Sequence, residues 1–162
     1  MEGSLVVRAG RYAYMLLAWA FVAGIVLQVF FIGLGLFVGP ENLVLHTTFG
    51  WLLHLGPLPV LVAAAFAQTG RRQILLTVAL TVLIFFVPIL AALRSSLPLA
   101  AAFHPVGALL AFWLAIVVAR GATKLAGSTD VETRTTRGEW MLVVVLVALV
   151  LFLSFSGSPE PV

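Results

Sequence analysis

The chain contains no cysteine. That excludes disulfides, thiolate metal centres and a nucleophilic thiol. Charged residues make up 9% of the 162, against about 25% in soluble domains. None of them falls inside the long apolar runs, which argues against an ion pump, whose path needs ionisable groups at membrane depth. There is also no phosphate-binding loop, no Ser-His-Asp arrangement and no zincin motif. Alternating apolar and polar strands are missing, so an outer-membrane barrel is not indicated.

What remains is apolar. Hydrophobic residues are 62% of the chain, where a soluble domain has roughly 45–50%, and mean hydropathy is +1.18. The apolar residues form five runs: Tyr12–Val38, Leu43–Ala67, Ile74–Leu93, Leu97–Ala119 and Trp140–Phe155. Each approaches the ~20 residues that carry a helix across a ~30 Å hydrocarbon core. Inside lipid the backbone must satisfy its own hydrogen bonds, which makes these runs helices. The expected fold is an all-α integral membrane protein. Residues 1–120 form an up-down four-helix transmembrane bundle, 121–139 a cytoplasmic linker, and 140–162 a fifth C-terminal transmembrane helix with a short tail.

The basic residues orient this plan. Arg8 and Arg11, Arg71 and Arg72, and Arg120, Lys124, Arg134 and Arg137 all fall on one side of the alternating spans, and only Arg94 falls on the other. Lys and Arg stay in the cytoplasm, so the N-terminus is expected inside and the C-terminus outside. This placement accounts for the net charge of +3 without nucleic acid as a partner. The first run is much longer than the roughly 7–15 apolar residues of a signal peptide and lacks a small-residue cleavage site, so a retained helix is expected.

Two histidines stand out. His46 lies in LVLHTTFGWLLH of the second run and His104 in AAFHPVGALL of the fourth. An imidazole in a bilayer is costly and is read first as functional. Helix rise puts His46 some 5–8 Å, and His104 about 10 Å, below the outer end of its span. Spans two and four run in the same direction and are diagonal partners in a four-helix bundle, where side chains on facing helices hold cofactors. Gly50 follows His46 by four residues and Gly107 follows His104 by three, on the same helix faces. Glycines there leave room for a flat ligand. The sharpest expectation is bis-histidine ligation of haem b, with iron as the metal bound by His46 and His104 and with Gly50 and Gly107 lining the cofactor. Other readings stay open: histidines that hydrogen-bond across helices or relay protons, and a quinone or lipid site.

The remaining polar and breaking residues read as structural. His54 is expected to bond a backbone carbonyl freed by Pro57 or Pro59. Gln28 is expected to bond across helices, and Gly33 and Gly35 to mark close packing. Pro88 and Pro105 can kink their helices, and Pro105 can re-aim His104. Glu41 and Asn42 suit the start of the second helix. Trp140 sits where an interfacial aromatic belongs. Asp130 and Glu132 fall in the expected linker, and SGSPEPV is a polar tail.

From about residue 12 to 120 the chain resembles a family of small bacterial four-helix membrane proteins of unknown function. The likeness is carried by VLQVFFIGLGLF, LHTTFGWLL and AFHPVGALL. Its histidine placement is similar to that of membrane b-type cytochromes and haem A synthase-like bundles. The resemblance implies a bacterial plasma (inner) membrane protein with haem held by His46 and His104. An electron-transfer subunit serving quinol or another membrane subunit, alone or in a homo- or hetero-oligomer, fits it better than a stand-alone enzyme. The alternative is a non-catalytic structural or assembly subunit whose histidines only pack. The fifth span and the 121–139 segment depart from the four-helix pattern and suit assembly with a partner.

Overall fold

A computed structural model describes residues 2–128 and 134–156. Asp130, Glu132 and residues 157–162 of the tail lie outside them. Every regular element among the described residues is helical: α1 (Glu2–Phe37), α2 (Leu43–Leu55), α3 (Pro57–Phe66), α4 (Arg71–Ala92), α5 (Pro98–Ala101), α6 (His104–Ala126) and α7 (Arg137–Ser156), with single 3-10 turns at Pro40–Asn42 and Leu93–Ser95. They build five stretches long and apolar enough to cross a membrane: Leu5–Phe37, Pro40–Phe66, Arg71–Ser95, Pro98–Ala126 and Arg137–Ser156. These overlay the five apolar runs.

The prolines set the breaks. Pro57 cannot donate to the preceding turn, so span two is divided at Gly56 into α2 and α3. Pro105 starts α6 rather than kinking it. In the first turn the missing N–H is one that no helical carbonyl needs. Pro88 stays inside an unbroken α4. The turn between α3 and α4 uses Gln68 and Gly70 at positive φ, 50° and 78°; glycine meets that demand without a Cβ penalty.

Packing is continuous from span to span. α1 packs along α2, α3 and α6, α4 packs along α3 and α6, and α7 leans on α3 and α4. Spans two and four share no comparably extended contact. The seam between α1 and α6 is built from small residues: Ala111, Ala115, Val118, Ala119 and Ala122 are buried on one face of α6, against Ala18, Phe21, Val22 and Ile25 of α1. Small side chains let helix backbones approach, which is how helices gain contact where lipid removes the hydrophobic drive. Ala122 also explains why α6 continues to Ala126. The polar segment expected at 121–139 is helical over its first six residues, because its apolar face is still buried against the core.

Tyr14, Gln73, Thr77 and Thr81 form a paired polar group in the core. Tyr14 of α1 is fully buried with its hydroxyl 2.8 Å from Thr77 Oγ1 of α4. Gln73 donates to the Val118 carbonyl at 2.8 Å, while the Thr77 and Thr81 hydroxyls donate to carbonyls one turn back. Tyr14→Phe is expected to cost only about 0.6 kcal/mol, the average for a hydrogen bond between membrane helices, because Thr77 keeps its bond to Gln73. Thermal unfolding in detergent measures it, and a loss several times larger means that the phenol's contact with the Gln73 side chain carries further stability.

All the helix ends carrying Arg8, Arg11, Arg71, Arg72, Arg120, Lys124 and Arg137 lie at one end of the molecule, here the basic end. There Arg11 is buried and donates to the Ser128 carbonyl and hydroxyl at 2.9 and 3.1 Å. Trp140 stacks edge-on against Phe66, with ring centres 5.0 Å apart. The opposite end holds Pro40–Asn42 and Leu93–Ser95.

Candidate functional site

His46 sits in the first turn of α2, which begins directly after the Pro40–Asn42 turn. His104 is the first residue of α6, set there by Pro105 behind it. Both are half-buried. The fold brings them together: their ring centres are 6.4 Å apart with the planes inclined at 77°.

Each imidazole is tethered to the helix beside it. His46 Nδ1 lies 3.1 Å from the Gln28 carbonyl of α1, and His104 Nδ1 lies 2.8 Å from the Val87 carbonyl of α4. A carbonyl only accepts, so each Nδ1 carries the proton. In the neutral ring that leaves a lone pair on each Nε2. This is the arrangement of metal-binding histidines, whose other ring N–H is held by a carbonyl or carboxylate. The ring spacing also fits. Two imidazoles bound on opposite sides of one metal, at about 2 Å per nitrogen–metal bond, have centres about 6 Å apart. The donor set therefore suits an iron held by two histidines. Among the described residues no group of three or more His, Asp or Glu side chains could hold a metal ion.

Gln28 belongs to this site in a way the sequence did not reveal. Its side-chain nitrogen donates to the His46 carbonyl at 2.7 Å, reciprocating the bond that the ring gives to the Gln28 backbone. A Cβ added at Gly50 would come 2.8 Å from that nitrogen, so Gly50 clears space for Gln28. At Gly107 a Cβ would meet Val87 Cγ2 at 3.2 Å and Leu90 Cδ1 at 3.8 Å. Both glycines thus stand where neighbouring helices press closest to the histidine turns. The signal that could have exposed Gln28 is its depth: counted along α1 from the far end, it falls level with the start of α2. Gly35 is close-packed against Leu43, whereas Gly33 faces open space, which corrects the expectation of close packing at both.

His54 is separate from the pair. It is buried, with Nε2 3.2 Å from Ser154 Oγ of α7 and ring contacts to Trp51 and Phe85. Its Nδ1 meets no partner with good hydrogen-bond geometry, but the ring lies within electrostatic reach of the Ile84 backbone. Pro88 supplies no N–H to the carbonyl four residues back. The Ile84 carbonyl is thus left free by Pro88, while the hydrogen bond that His54 makes is to Ser154 and not to a carbonyl freed by Pro57 or Pro59. Two surface grooves lie away from all three histidines, at the basic end: one lined by Arg71, Arg72, Leu75 and Leu76, the other by Trp19, Arg120, Thr123 and Lys124.

Five apolar helices of spanning length make this, by length and composition, a multi-pass membrane protein with a tethered histidine pair at the end opposite its arginines. Residues 28–94 match a family described as a family of unknown function, DUF6220. The matched stretch is narrower than the 12–120 resemblance and less than half of the chain. It holds Gln28, His46, Gly50 and His54 and stops before His104. No curated protein and no solved structure matches the chain.

Proposed function

We propose that the protein is a membrane haem b subunit for electron transfer, with His46 and His104 as the two ligands on spans two and four of an up-down four-helix bundle. The observation that carries this reading is the double tether: both imidazoles fixed through Nδ1–H to backbone carbonyls, neither Nε2 hydrogen-bonded among the described residues, and the rings 6.4 Å apart. Bound there, haem supplies reversible one-electron transfer. The chain's own groups do the rest. The Gln28 and Val87 carbonyls fix ring orientation and raise the donor strength of Nε2. A quinol in the same leaflet or another membrane subunit is the partner that suits a site near one membrane face. The purified protein, reduced with dithionite, is expected to show the α-band of a low-spin b-type haem; a colourless, folded preparation rejects the reading.

A second reading rests on the same bonds. His46 joins span two to span one and His104 joins span four to span three, so the pair also works as two interhelical ties in a structural or assembly subunit. A colourless protein favours it.

Orientation is part of the proposal. The eight-to-one distribution of Lys and Arg supports a cytoplasmic basic end and N-terminus, with the histidine pair near the extracytoplasmic face of a plasma membrane. The absence of cysteine allows a direct check. In intact cells, Ser96→Cys, in the exposed turn after α4, is expected to react with a membrane-impermeant maleimide. Gly138→Cys, exposed at the start of α7 with no described residue within 4 Å of its Cβ position, reacts only after lysis. The reverse pattern inverts the topology.

A further inference from the structure

We infer that the groove between α1 and α6 at the basic end is a binding site for the phosphodiester headgroup of an anionic phospholipid. The groove is open to the surface, has a volume of about 440 Å³ and is lined by Trp19, Arg120, Thr123 and Lys124. Arg120 and Lys124 are four residues apart on α6 and so project from one face. Both are exposed, and no carboxylate among the described residues bonds to either. Arg presents a planar fork of donors and Lys a compact charge, a combination suited to a phosphate.

The opposite wall is fixed. Trp19 donates its indole N–H to Thr123 Oγ1 at 2.9 Å, and the Thr123 hydroxyl donates to the Ala119 carbonyl at 3.0 Å. Tryptophan and threonine thereby satisfy each other, and neither takes up the two cations. An indole with its N–H held and its face half exposed is the kind of group found at headgroup level.

The surface beyond the groove decides the source of the phosphate. Following the Trp19 face of α1 away from the basic end, steps of helical spacing reach Val26 and Phe30, 54% and 57% exposed. Following the Arg120 face of α6 in the same direction reaches Trp113 and Leu109, 63% and 69% exposed. Two apolar stripes thus descend from the groove along the α1–α6 seam, which is what an acyl chain attached to the phosphate requires. A free phosphate ion needs no such stripes. The cations sit at the end of the molecule that carries nearly all of the chain's basic residues, so an anionic headgroup is attracted there whichever membrane face that end occupies. The inference does not depend on whether haem binds.

The test uses the full chain in micelles holding equal amounts of phosphatidylglycerol and phosphatidylcholine with the same acyl chains, read by native mass spectrometry. At about fivefold per basic side chain, the wild type is expected to retain phosphatidylglycerol over phosphatidylcholine by roughly 25-fold. Arg120→Gln and Lys124→Gln each lower that preference about fivefold, and the double variant brings it near parity. The single variants keep the test decisive if the double variant fails to fold. Arg8→Gln with Arg137→Gln removes the same charge from the same end, outside the groove, and leaves the preference intact. Three results overturn the proposal: no preference in the wild type, an equal loss in the Arg8/Arg137 control, or release of the bound lipid by millimolar inorganic phosphate, which assigns the groove to free phosphate.

Discussion

With haem bound as proposed, His46→Ala and His104→Ala are each expected to yield a folded protein without the reduced α-band, whereas His54→Ala is expected to keep most of it. The expected loss is at least tenfold in pigment per protein for either ligand, since disturbing only the groups that orient a metal-binding histidine already costs about 10–100-fold in affinity. The fold survives because each substitution removes one interhelical hydrogen bond, worth about 0.6 kcal/mol between membrane helices. In His46→Ala the bond from Gln28 Nε2 to the residue 46 carbonyl remains. His54 makes its polar contact with Ser154 and touches neither ring of the pair, so its loss loosens α7 and leaves the ligands in place. Circular dichroism alongside the spectra separates ligand loss from unfolding. Equal pigment in all four proteins refutes the assignment.

Gly10→Ala is expected to destabilise the protein by about 1–3 kcal/mol, the usual cost of adding atoms to a filled interior. Its Cβ would lie 3.0 Å from the Ala67 nitrogen and the Phe66 carbonyl carbon, and 3.1 Å from the Phe66 oxygen. These are backbone atoms at the end of α3, which cannot rotate aside as a side chain does, so α1 must move bodily from α3. Gly33→Ala is the matched control on the same helix, with nothing within 4 Å of the added carbon. There the gain in helix propensity, about 0.5–1 kcal/mol, is unopposed, and stability holds or rises. Unfolding in detergent reads both, and changes of the same sign at the two positions contradict this account of the α1–α3 contact.

The five spans were legible because membrane insertion writes itself into composition: runs near twenty apolar residues, bounded by arginines, have few other interpretations. The His46–His104 pairing was legible for a related reason. Two histidines near the same end of two same-direction helices are brought level by helix rise alone. What stayed hidden depends on side-chain reach between spans. Nothing local to Gly50 says that its missing Cβ makes way for an amide from α1, and nothing local to His54 points to Ser154 on α7. The end of α6 was hidden because Thr, Gly and Lys around 121–126 read as linker, while the deciding fact is Ala122 buried against the core.

The 36-residue α1 has a last consequence. At 1.5 Å per residue it is about 54 Å long, against about 40–45 Å for a whole bilayer with headgroups. The 22-residue α4 reaches only about 33 Å by the same rise. The two cannot slide to share the difference, because Tyr14 and Thr77 pin them in the core. The first turns of α1, with Glu2, Arg8 and Arg11, are polar and can stand outside the lipid. Its apolar part, Tyr12–Phe37, is about 39 Å long by the same rise, still longer than a ~30 Å hydrocarbon core, and tilting or local deformation of the lipid would take up that surplus. Hydrophobic mismatch is therefore built into one edge of the protein, and long-tailed lipids relieve it where short-tailed ones increase it.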